Sequence, residues 1–339
     1  MTTTSPASVA PATWTATPPH RLVQRPRRVS GMAVGVSLGV IAALLIAVYL
    51  GICAYMALTV TKPERVAFTS FPEQFGLRYE SVSFPSRVDQ IRLEGWYLLP
   101  APTSASSSAK RPVVVVHGRS SDRQRVTRDH NALPIAAHLV SQGHAVLLFD
   151  LRGSGRSGGE RFTLGAQEVR DVGGAVDYLD RRGFIADGVS LLSYSMGAAT
   201  AMLYAPTDPR VRSVVEDSGY GALGDVLEDQ VPKLSGLPWF FTPGVVLMGR
   251  PLMGVDAYAI RPIESVKQLA ARRTPLFIIH GDADQTVPFR HAAQLAGAYA
   301  SAAGGGTAET YYVAGAKHVG SYEVDPATYL SRVSAFLSR

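Results

Sequence analysis

Cysteine is almost absent from this chain of 339 residues, since Cys53 is the only one. A disulfide framework and a cysteine-based metal site are therefore excluded. The chain also lacks a basic stripe. Four of its 33 basic residues lie in an N-terminal group of arginines, and the other 29 are interspersed with 27 acidic residues. We therefore expect no nucleic-acid partner, because DNA- and RNA-binding domains carry a clustered basic surface. The four arginines are Arg21, Arg25, Arg27 and Arg28.

Motifs for metals and phosphates are missing as well. No group of His, Asp and Glu has the spacing of metal ligands, and no glycine-rich loop precedes a helix with a phosphate-binding lysine. We therefore predict that the protein uses no metal and no cofactor. Hydrophobic residues make up 46% of the chain, which is ample for a buried core.

Charge is absent from Val29 to Thr61, a run rich in Val, Leu, Ile and Ala. About 20 apolar residues span a bilayer, so this run is long enough to cross one with tilt. A cleavable signal peptide is the alternative, but its apolar region is usually about 7 to 15 residues long. We predict an uncleaved single-pass anchor over residues 29–61. The arginines before it predict a cytoplasmic N-terminus, and hence a folded domain on the far side of the membrane.

Composition divides the rest of the chain. Residues 1–28 are mostly Thr, Ser, Ala, Pro and Arg, which is typical of a disordered tail. We predict a tether over residues 62–78 and a folded domain over residues 79–339. Within that domain, residues 217–274 interrupt the alternation of strands and helices and are expected to form a cap-like insertion.

Short apolar runs alternate with helix-like stretches through the folded domain. The first two predicted strands are expected to form an antiparallel hairpin, and the later ones alternate with helices. This order predicts an α/β fold with a doubly wound, mostly parallel sheet, in which functional residues lie at the carboxyl ends of strands. The predicted strands are residues 79–84, 91–99, 112–116, 145–149, 211–216, 275–279 and 310–313, together with a strand directly before Ser195.

Residues 189–201 change abruptly from an apolar run to small helix formers around Ser195. This predicts a strand, a sharp turn and a helix, with the middle residue of the turn pushed out at the top of the sheet. Such a turn needs small residues two positions before and after, and Ser193 and Gly197 satisfy this. Choosing Ser193 as the exposed residue would place bulky Leu191 at a tight position. A helix N-cap is the ordinary alternative for Ser195, but a cap does not require small residues on both sides.

Three more candidates follow predicted strands: Arg119, Asp284 and His318. A serine hydroxyl needs an adjacent base, and the base needs a carboxylate that holds its tautomer. His318 and Asp284 are therefore predicted to serve Ser195 in these two roles.

Other acids compete for the role of the carboxylate. Asp282 lies on the same loop as Asp284, two residues earlier, and Glu216 and Asp217 end the strand before the insertion. The residues themselves leave Asp282, Glu216 and Asp217 open as alternatives to Asp284.

The chain resembles the α/β-hydrolase fold superfamily over roughly residues 75–339. The matching motifs are His117-Gly118, Asp150-x-Arg152-Gly153-x-Gly155-x-Ser157, Ser195 in its turn, His280-Gly281-x-x-Asp284-x-x-Val287-Pro288, and the late His318. The resemblance implies a triad of Ser195, Asp284 and His318 and favours Asp284 over Asp282. It also implies an oxyanion hole from the backbone N–H groups of Met196 and Arg119. The family pattern has glycine where this chain has Ser193.

The insertion contains an aromatic run, Trp239, Phe240 and Phe241. One hypothesis is that these side chains form an apolar pocket for an acyl or aryl group, facing the bilayer. The alternative is that they only pack against the sheet, as aromatic residues usually do.

From these features we expect a membrane-anchored serine hydrolase that cleaves carboxylic esters or thioesters through an acyl-enzyme. Its substrate would be a small-molecule or lipid-like acyl compound. Fold alone leaves two alternatives. One is a serine peptidase similar to prolyl oligopeptidases, although no propeller-like repeat precedes the domain. The other is a catalytically silent binding or scaffold protein, which a complete triad disfavours.

Overall fold

A computed structural model describes residues 31–100, 110–302, 304 and 306–339, together with residues 1–3, 5, 10 and 12. Apart from those few positions, the predicted tail lies outside the described residues, and so does the serine-rich stretch 101–109. The chain divides into two units, Met1–Ala47 and Val48–Arg339.

The elements follow the apolar runs of the sequence closely. The strands are β1 (Tyr79–Pro85), β2 (Arg92–Leu98), β3 (Lys110–Val116), β4 (Arg125–Thr127), β5 (His130–Asn131), β6 (His144–Phe149), β7 (Val189–Tyr194), β8 (Val211–Asp217), β9 (Leu276–Gly281) and β10 (Glu309–Val313). The helices are α1 (Gly31–Val60), α2 (Leu133–Ser141), α3 (Glu168–Arg181), α4 (Met196–Tyr204), α5 (Leu223–Ser235), α6 (Thr242–Met253), α7 (Pro262–Ala271), α8 (Arg290–Ala302), α9 (Ser321–Val324) and α10 (Pro326–Leu337). Short 3-10 turns lie at Pro72–Phe75, Ala205–Thr207 and Trp239–Phe241.

Eight strands form one sheet in the order β1-β2-β6-β3-β7-β8-β9-β10, and β4 pairs with β5. In this sheet the pairs β1/β2 and β2/β6 are antiparallel, and the other pairs are parallel. All six residues of β6, of β7 and of β9 are buried, as expected for strands covered on both faces. The predicted doubly wound, mostly parallel sheet is confirmed.

Helices cover both faces of this sheet. One apolar cluster joins the sheet to α3, α4, α7 and α8, and a second joins the opposite face to α2 and α10. The final helix begins at Asp325-Pro326, where the Asp325 carboxylate accepts a hydrogen bond from the Thr328 N–H at 3.1 Å.

The predicted insertion contains α5, the aromatic 3-10 turn, α6 and α7. The α7 helix packs against α4 and α8 as an ordinary crossover helix. The remaining part, α5 to α6, forms the cap, and a third apolar cluster joins it to the end of α1.

Among the described residues, α1 is the one helix that is long and apolar enough to cross a bilayer, judged by length and composition. It has 30 residues, and its most apolar window of 18 residues has a mean hydropathy of 2.6.

Candidate active site

Ser195 lies in the sharp turn between β7 and α4. Its φ of 53° and ψ of −118° fall in a region that a non-glycine residue adopts only under strain, at a cost of about 1–3 kcal/mol. A Cβ at Gly197 would overlap the carbonyl oxygens of Val116 and His117, so glycine is required there. Ser193 fits because it is small and its hydroxyl donates to the Val215 carbonyl at 2.8 Å. The turn therefore keeps its geometry although a serine occupies the position of the first glycine.

His318 connects Ser195 to Asp284. The Nε2 atom of His318 lies 2.8 Å from Ser195 Oγ, and its Nδ1 lies 2.7 Å from Asp284 Oδ2. A carboxylate only accepts hydrogen bonds, so Nδ1 carries the ring proton and Nε2 is left as an acceptor for the serine hydroxyl. The three side chains are brought together from the loops after β7, β9 and β10.

The Asp284 carboxylate is held in its charged form. Burial by itself raises the pKa of this group, but hydrogen bonds from His280 and His318 outweigh that effect and hold the pKa well below its usual range. The other carboxylate oxygen, Oδ1, accepts from the N–H groups of Thr286 and Val287 at 2.8 and 2.9 Å. This turn fixes the direction in which Asp284 points.

The competing acids occupy other positions. Asp282 is exposed, and its Oδ1 accepts from the Gly315 N–H at 2.6 Å. Glu216 is buried and accepts from the Gly219 N–H at 2.8 Å, while Asp217 accepts from the Ser218 hydroxyl at 2.9 Å. Among the described contacts of His318, Asp284 is the carboxylate that it meets.

The two residues expected to form the oxyanion hole, Met196 and Arg119, lie next to Ser195. Met196 is the first residue of α4, and the first N–H groups of a helix have no partner within the helix. Gly118 lies so close to Ser195 that a Cβ there would come within 3.2 Å of the Ser195 Cβ, which brings the loop carrying Arg119 against the serine. Arg119 and Met196 both line the same cavity as Ser195.

That cavity has a volume of about 210 Å³ and is mostly apolar. Residues of α5 at spacings of three or four line one side of it, namely Leu223, Val226, Leu227, Gln230 and Leu234. Arg119 is the one charged residue among those that line it. In the part of the chain that the structure describes, no group of three or more His, Cys, Asp or Glu side chains is placed to hold a metal ion.

The chain was compared with known proteins. Residues 107–219, a third of the chain, match the family model described as serine aminopeptidase, S33. The uncharacterized protein YfhR of Escherichia coli O157:H7 is 25% identical over 220 residues, which cover 64% of this chain and just under two thirds (66%) of YfhR. The esterase Pf2001 of Pyrococcus furiosus superposes with a TM-score of 0.64 at 24% identity, over 81% of this chain and 98% of the esterase. The chain has the α/β-hydrolase fold.

The acylaminoacyl peptidase of Pyrococcus horikoshii has the same fold, with a TM-score of 0.55 at 17% identity, over 77% of this chain and 41% of the peptidase. The family model and these neighbours indicate a hydrolase, and they include both esterases and peptidases. The resemblance expected from the sequence motifs is therefore confirmed at the level of the α/β-hydrolase fold.

Two further motifs of the hydrolase fold brace the loops around the site. His117 contacts the Gly118 carbonyl through Nδ1 at 2.7 Å, and its Nε2 accepts from the Leu151 N–H at 3.0 Å. Asp150 binds the backbone and side chain of Arg123, and Arg152 forms a buried ion pair with Asp171 at 2.7 Å. These contacts tie the loops after β3 and β6 together.

The predicted aromatic pocket is corrected by the structure. Trp239, Phe240 and Phe241 are not among the residues that line the cavity at Ser195. Trp239 and Phe240 are exposed at 76% and 49%, and Phe241 stacks on Tyr49 of α1 with ring centroids 5.0 Å apart. The chain turns at Gly236, in the left-handed conformation, directly after α5. The aromatic run therefore packs beside α1, and α5 itself lines the cavity. The apolar residues of α5, which recur at spacings of three and four, are the signal in the sequence that identifies the lining residues.

Proposed function

We propose that this protein is a membrane-anchored serine hydrolase that cleaves carboxylic esters or thioesters through an acyl-enzyme intermediate. The observation that carries the proposal is the continuous hydrogen-bonded relay from Ser195 through His318 to Asp284, with spacings of 2.8 and 2.7 Å. An unbroken relay also argues against a silent binding or scaffold protein, which would have no reason to keep Ser195 strained.

In the first half of the reaction, Ser195 Oγ attacks the carbonyl carbon of the substrate and its proton passes to His318 Nε2. The Asp284 carboxylate stabilises the imidazolium that forms. The backbone N–H groups of Met196 and Arg119 donate to the developing oxyanion, and each such donor is worth roughly 2.7–4 kcal/mol of barrier. The C–O or C–S bond then breaks, and the leaving alcohol or thiol takes the proton from His318.

In the second half, a water molecule attacks the acyl group on Ser195. His318 accepts a proton from this water and returns it to Ser195 Oγ as the ester bond breaks. The carboxylic acid is released and the free serine is restored. Water is the one reactant that the two halves need besides the substrate.

The chemistry of the cavity favours an acyl substrate over a peptide with a free N-terminus. An aminopeptidase pairs the α-ammonium group of its substrate with a carboxylate, because an unpaired buried charge is costly. The residues that line this cavity include no acid, and their charged member is Arg119. Leu223, Val226 and Leu227 instead present an apolar wall that suits a hydrocarbon chain.

We also propose that α1 is a single-pass anchor with a cytoplasmic N-terminus and the catalytic domain on the other side of the membrane. The arginines before the uncharged run support this orientation, since basic residues are retained in the cytoplasm. Reporter fusions after residue 61 and at the C-terminus test it. Activity of a reporter that works only in the cytoplasm would contradict it.

The central experiment labels the detergent-solubilised full-length protein with a fluorophosphonate. Ser195→Ala should abolish labelling, and Ser193→Ala, a matched change two residues earlier, should retain it. A panel of p-nitrophenyl esters, acyl thioesters and aminoacyl p-nitroanilides then separates the bond types. Turnover of the anilides with no turnover of the esters would support the peptidase. Absence of labelling in the folded wild-type protein would overturn the enzyme proposal.

A further inference from the structure

The last turns of α1 bury one face against the cap. Cys53 is 0% exposed, and Ala57 and Thr61 are each 3% exposed. A spacing of four residues places these side chains on one side of the helix. Cys53 and Ala57 form an apolar cluster with residues of α5 and α6. A helix that served only to hold the protein in a bilayer would need no such face.

Close contacts fix this face to the cap. The Tyr49 hydroxyl donates to the Phe240 carbonyl at 2.9 Å, and the Cys53 thiol lies 3.7 Å from the Phe241 carbonyl. A Cβ at Gly244 of α6 would overlap the side chains of both Tyr49 and Cys53, so the two helices pack closely at this glycine. This is the packing of elements of one folded domain.

Two arginines hold the end of the same helix against the catalytic loops. Arg161 donates to the Leu58 carbonyl at 2.7 Å, and Arg119 donates to the Val60 carbonyl at 3.3 Å. The last carbonyls of a helix lack partners within it, and cations there interact favourably with the helix dipole. Arg119 also lines the cavity at Ser195. The end of α1 is thus attached to the loop beside the nucleophile.

Val60 completes the wall of the cavity. It lines the space of about 210 Å³ at Ser195 together with the apolar stripe of α5. It also lines a smaller neighbouring space of about 30 Å³ together with Ala57, and both spaces share Leu223 and Leu227. Pockets for drug-sized ligands are usually about 300–1,000 Å³, so this narrower space suits a slender chain.

We propose that α1 is a working part of the acyl-binding site, with the acyl chain of the substrate lying between Val60 of α1 and Leu223 and Leu227 of α5. The inference rests on the proposed acyl-enzyme chemistry at Ser195 and adds to it the residue that sets acyl-chain length. It also means that proteolytic removal of α1 would open the site, so the helix must stay in the mature protein.

The test compares Val60→Phe and Val60→Ala in the full-length protein with a matched control, Val48→Phe, at a position on the same helix that is 60% exposed. Val60→Phe should lower kcat/KM for octanoyl and decanoyl esters at least 10-fold and leave acetyl esters within about 2-fold. Loss of a few methylenes of pocket space has this size of effect. Val60→Ala should shift the optimum to longer chains, and Val48→Phe should leave the profile of the wild type unchanged.

A larger and a smaller side chain at position 60 shift the chain-length preference in opposite directions only if this side chain contacts the acyl chain. Damage to the fold would instead lower the rates for all esters together. A second readout does not depend on catalysis. In the Ser195→Ala protein, Val60→Phe should weaken binding of a fluorescent decanoyl analogue at least 10-fold. An unchanged chain-length profile in Val60→Ala, or unchanged binding, would overturn the proposal. If Val60→Phe weakens binding of the analogue as expected but the wild-type protein hydrolyses no ester, the proposed function alone would be overturned.

Discussion

Replacement of Asp284 by asparagine should abolish most of the hydrolytic activity, because it changes the tautomer of His318. Oδ1 of Asp284 accepts from the N–H groups of Thr286 and Val287, and Oδ2 faces His318. An asparagine keeps its carbonyl oxygen on the two backbone donors, so its amino group points at His318 Nδ1. That nitrogen must then accept a hydrogen bond, and the ring proton moves to Nε2. The atom facing Ser195 can no longer act as a base.

The size of the effect follows from these contacts. Turning the amide the other way would leave two buried N–H groups facing an amino group, at about 1–3 kcal/mol each, so the unproductive orientation is strongly preferred. Loss of the correct tautomer with the geometry intact lowers kcat about 10⁴-fold in serine triads. At 1.36 kcal/mol per factor of ten, this is about 5.4 kcal/mol of barrier.

The assay is hydrolysis of p-nitrophenyl butyrate by the full-length protein, with the melting temperature and far-ultraviolet circular dichroism as checks on folding. The matched control is Asp282→Asn, on the same loop. Its carboxylate binds Gly315 and not His318, so it should stay within about 3-fold of the wild type. A folded Asp284→Asn protein whose kcat lies within tenfold of the wild-type value would refute the reasoning. An equal loss of kcat in Asp282→Asn would also refute it.

Three further predictions concern the buried Glu216, the tight turn at Gly197 and the exposed Trp239 beside α1. Burial raises the pKa of Glu216 to about 8, above about 4.3 in an unfolded chain, so the free energy of unfolding falls as pH rises between these values. Glu216→Gln should remove up to about 4 kcal/mol of that fall between pH 5 and 9, and parallel melting profiles of the two proteins would contradict this. Gly197→Ala should lower the melting temperature and esterase activity together, because its Cβ would overlap carbonyl oxygens at the end of β3; unchanged values would contradict the tight turn. Trp239 packs on Phe240, whose carbonyl accepts a hydrogen bond from Tyr49 of α1, so we expect this surface to lie at the bilayer. Brominated lipids in nanodiscs should therefore quench the tryptophan fluorescence of the wild type more than that of Trp239→Phe. Equal quenching of the two proteins would contradict this placement.

The sheet and the positions of the candidate residues were predictable from the sequence because they follow from local rules. Buried strands carry continuous β-branched runs, such as Val113–Val116, and the loops after parallel strands meet at one edge of the sheet. Ser195 is identified by the small residues that its turn requires. These properties depend on a few neighbouring residues, so the sequence carries them directly.

Properties that depend on packing between distant segments were not predictable in the same way. The aromatic run at residues 239–241 has the composition of a pocket, but its neighbour proved to be Tyr49, about 190 residues earlier. The role of Val60 could not be predicted from the sequence. Because α1 is apolar on every side, its sequence does not mark the face that packs on the cap. Asp282 and Asp284 were not separated by the residues themselves, since a turn of the backbone at Thr286 decides which carboxylate points at His318.

The choice of Asp284 over the acids at the end of β8 also has an electrostatic reason. Burial raises the pKa of Glu216 to about 8 and that of Asp217 to about 6, whereas hydrogen bonds from two histidines hold the pKa of Asp284 low despite its burial. A carboxyl that keeps its proton near neutral pH does not stabilise an imidazolium. Glu216 is therefore largely neutral near pH 7. Asp217 is largely ionised there, but its carboxylate accepts a hydrogen bond from the Ser218 hydroxyl, whereas the carboxylate of Asp284 lies on His318 Nδ1. The loop after β9 therefore carries the acid of the proposed triad.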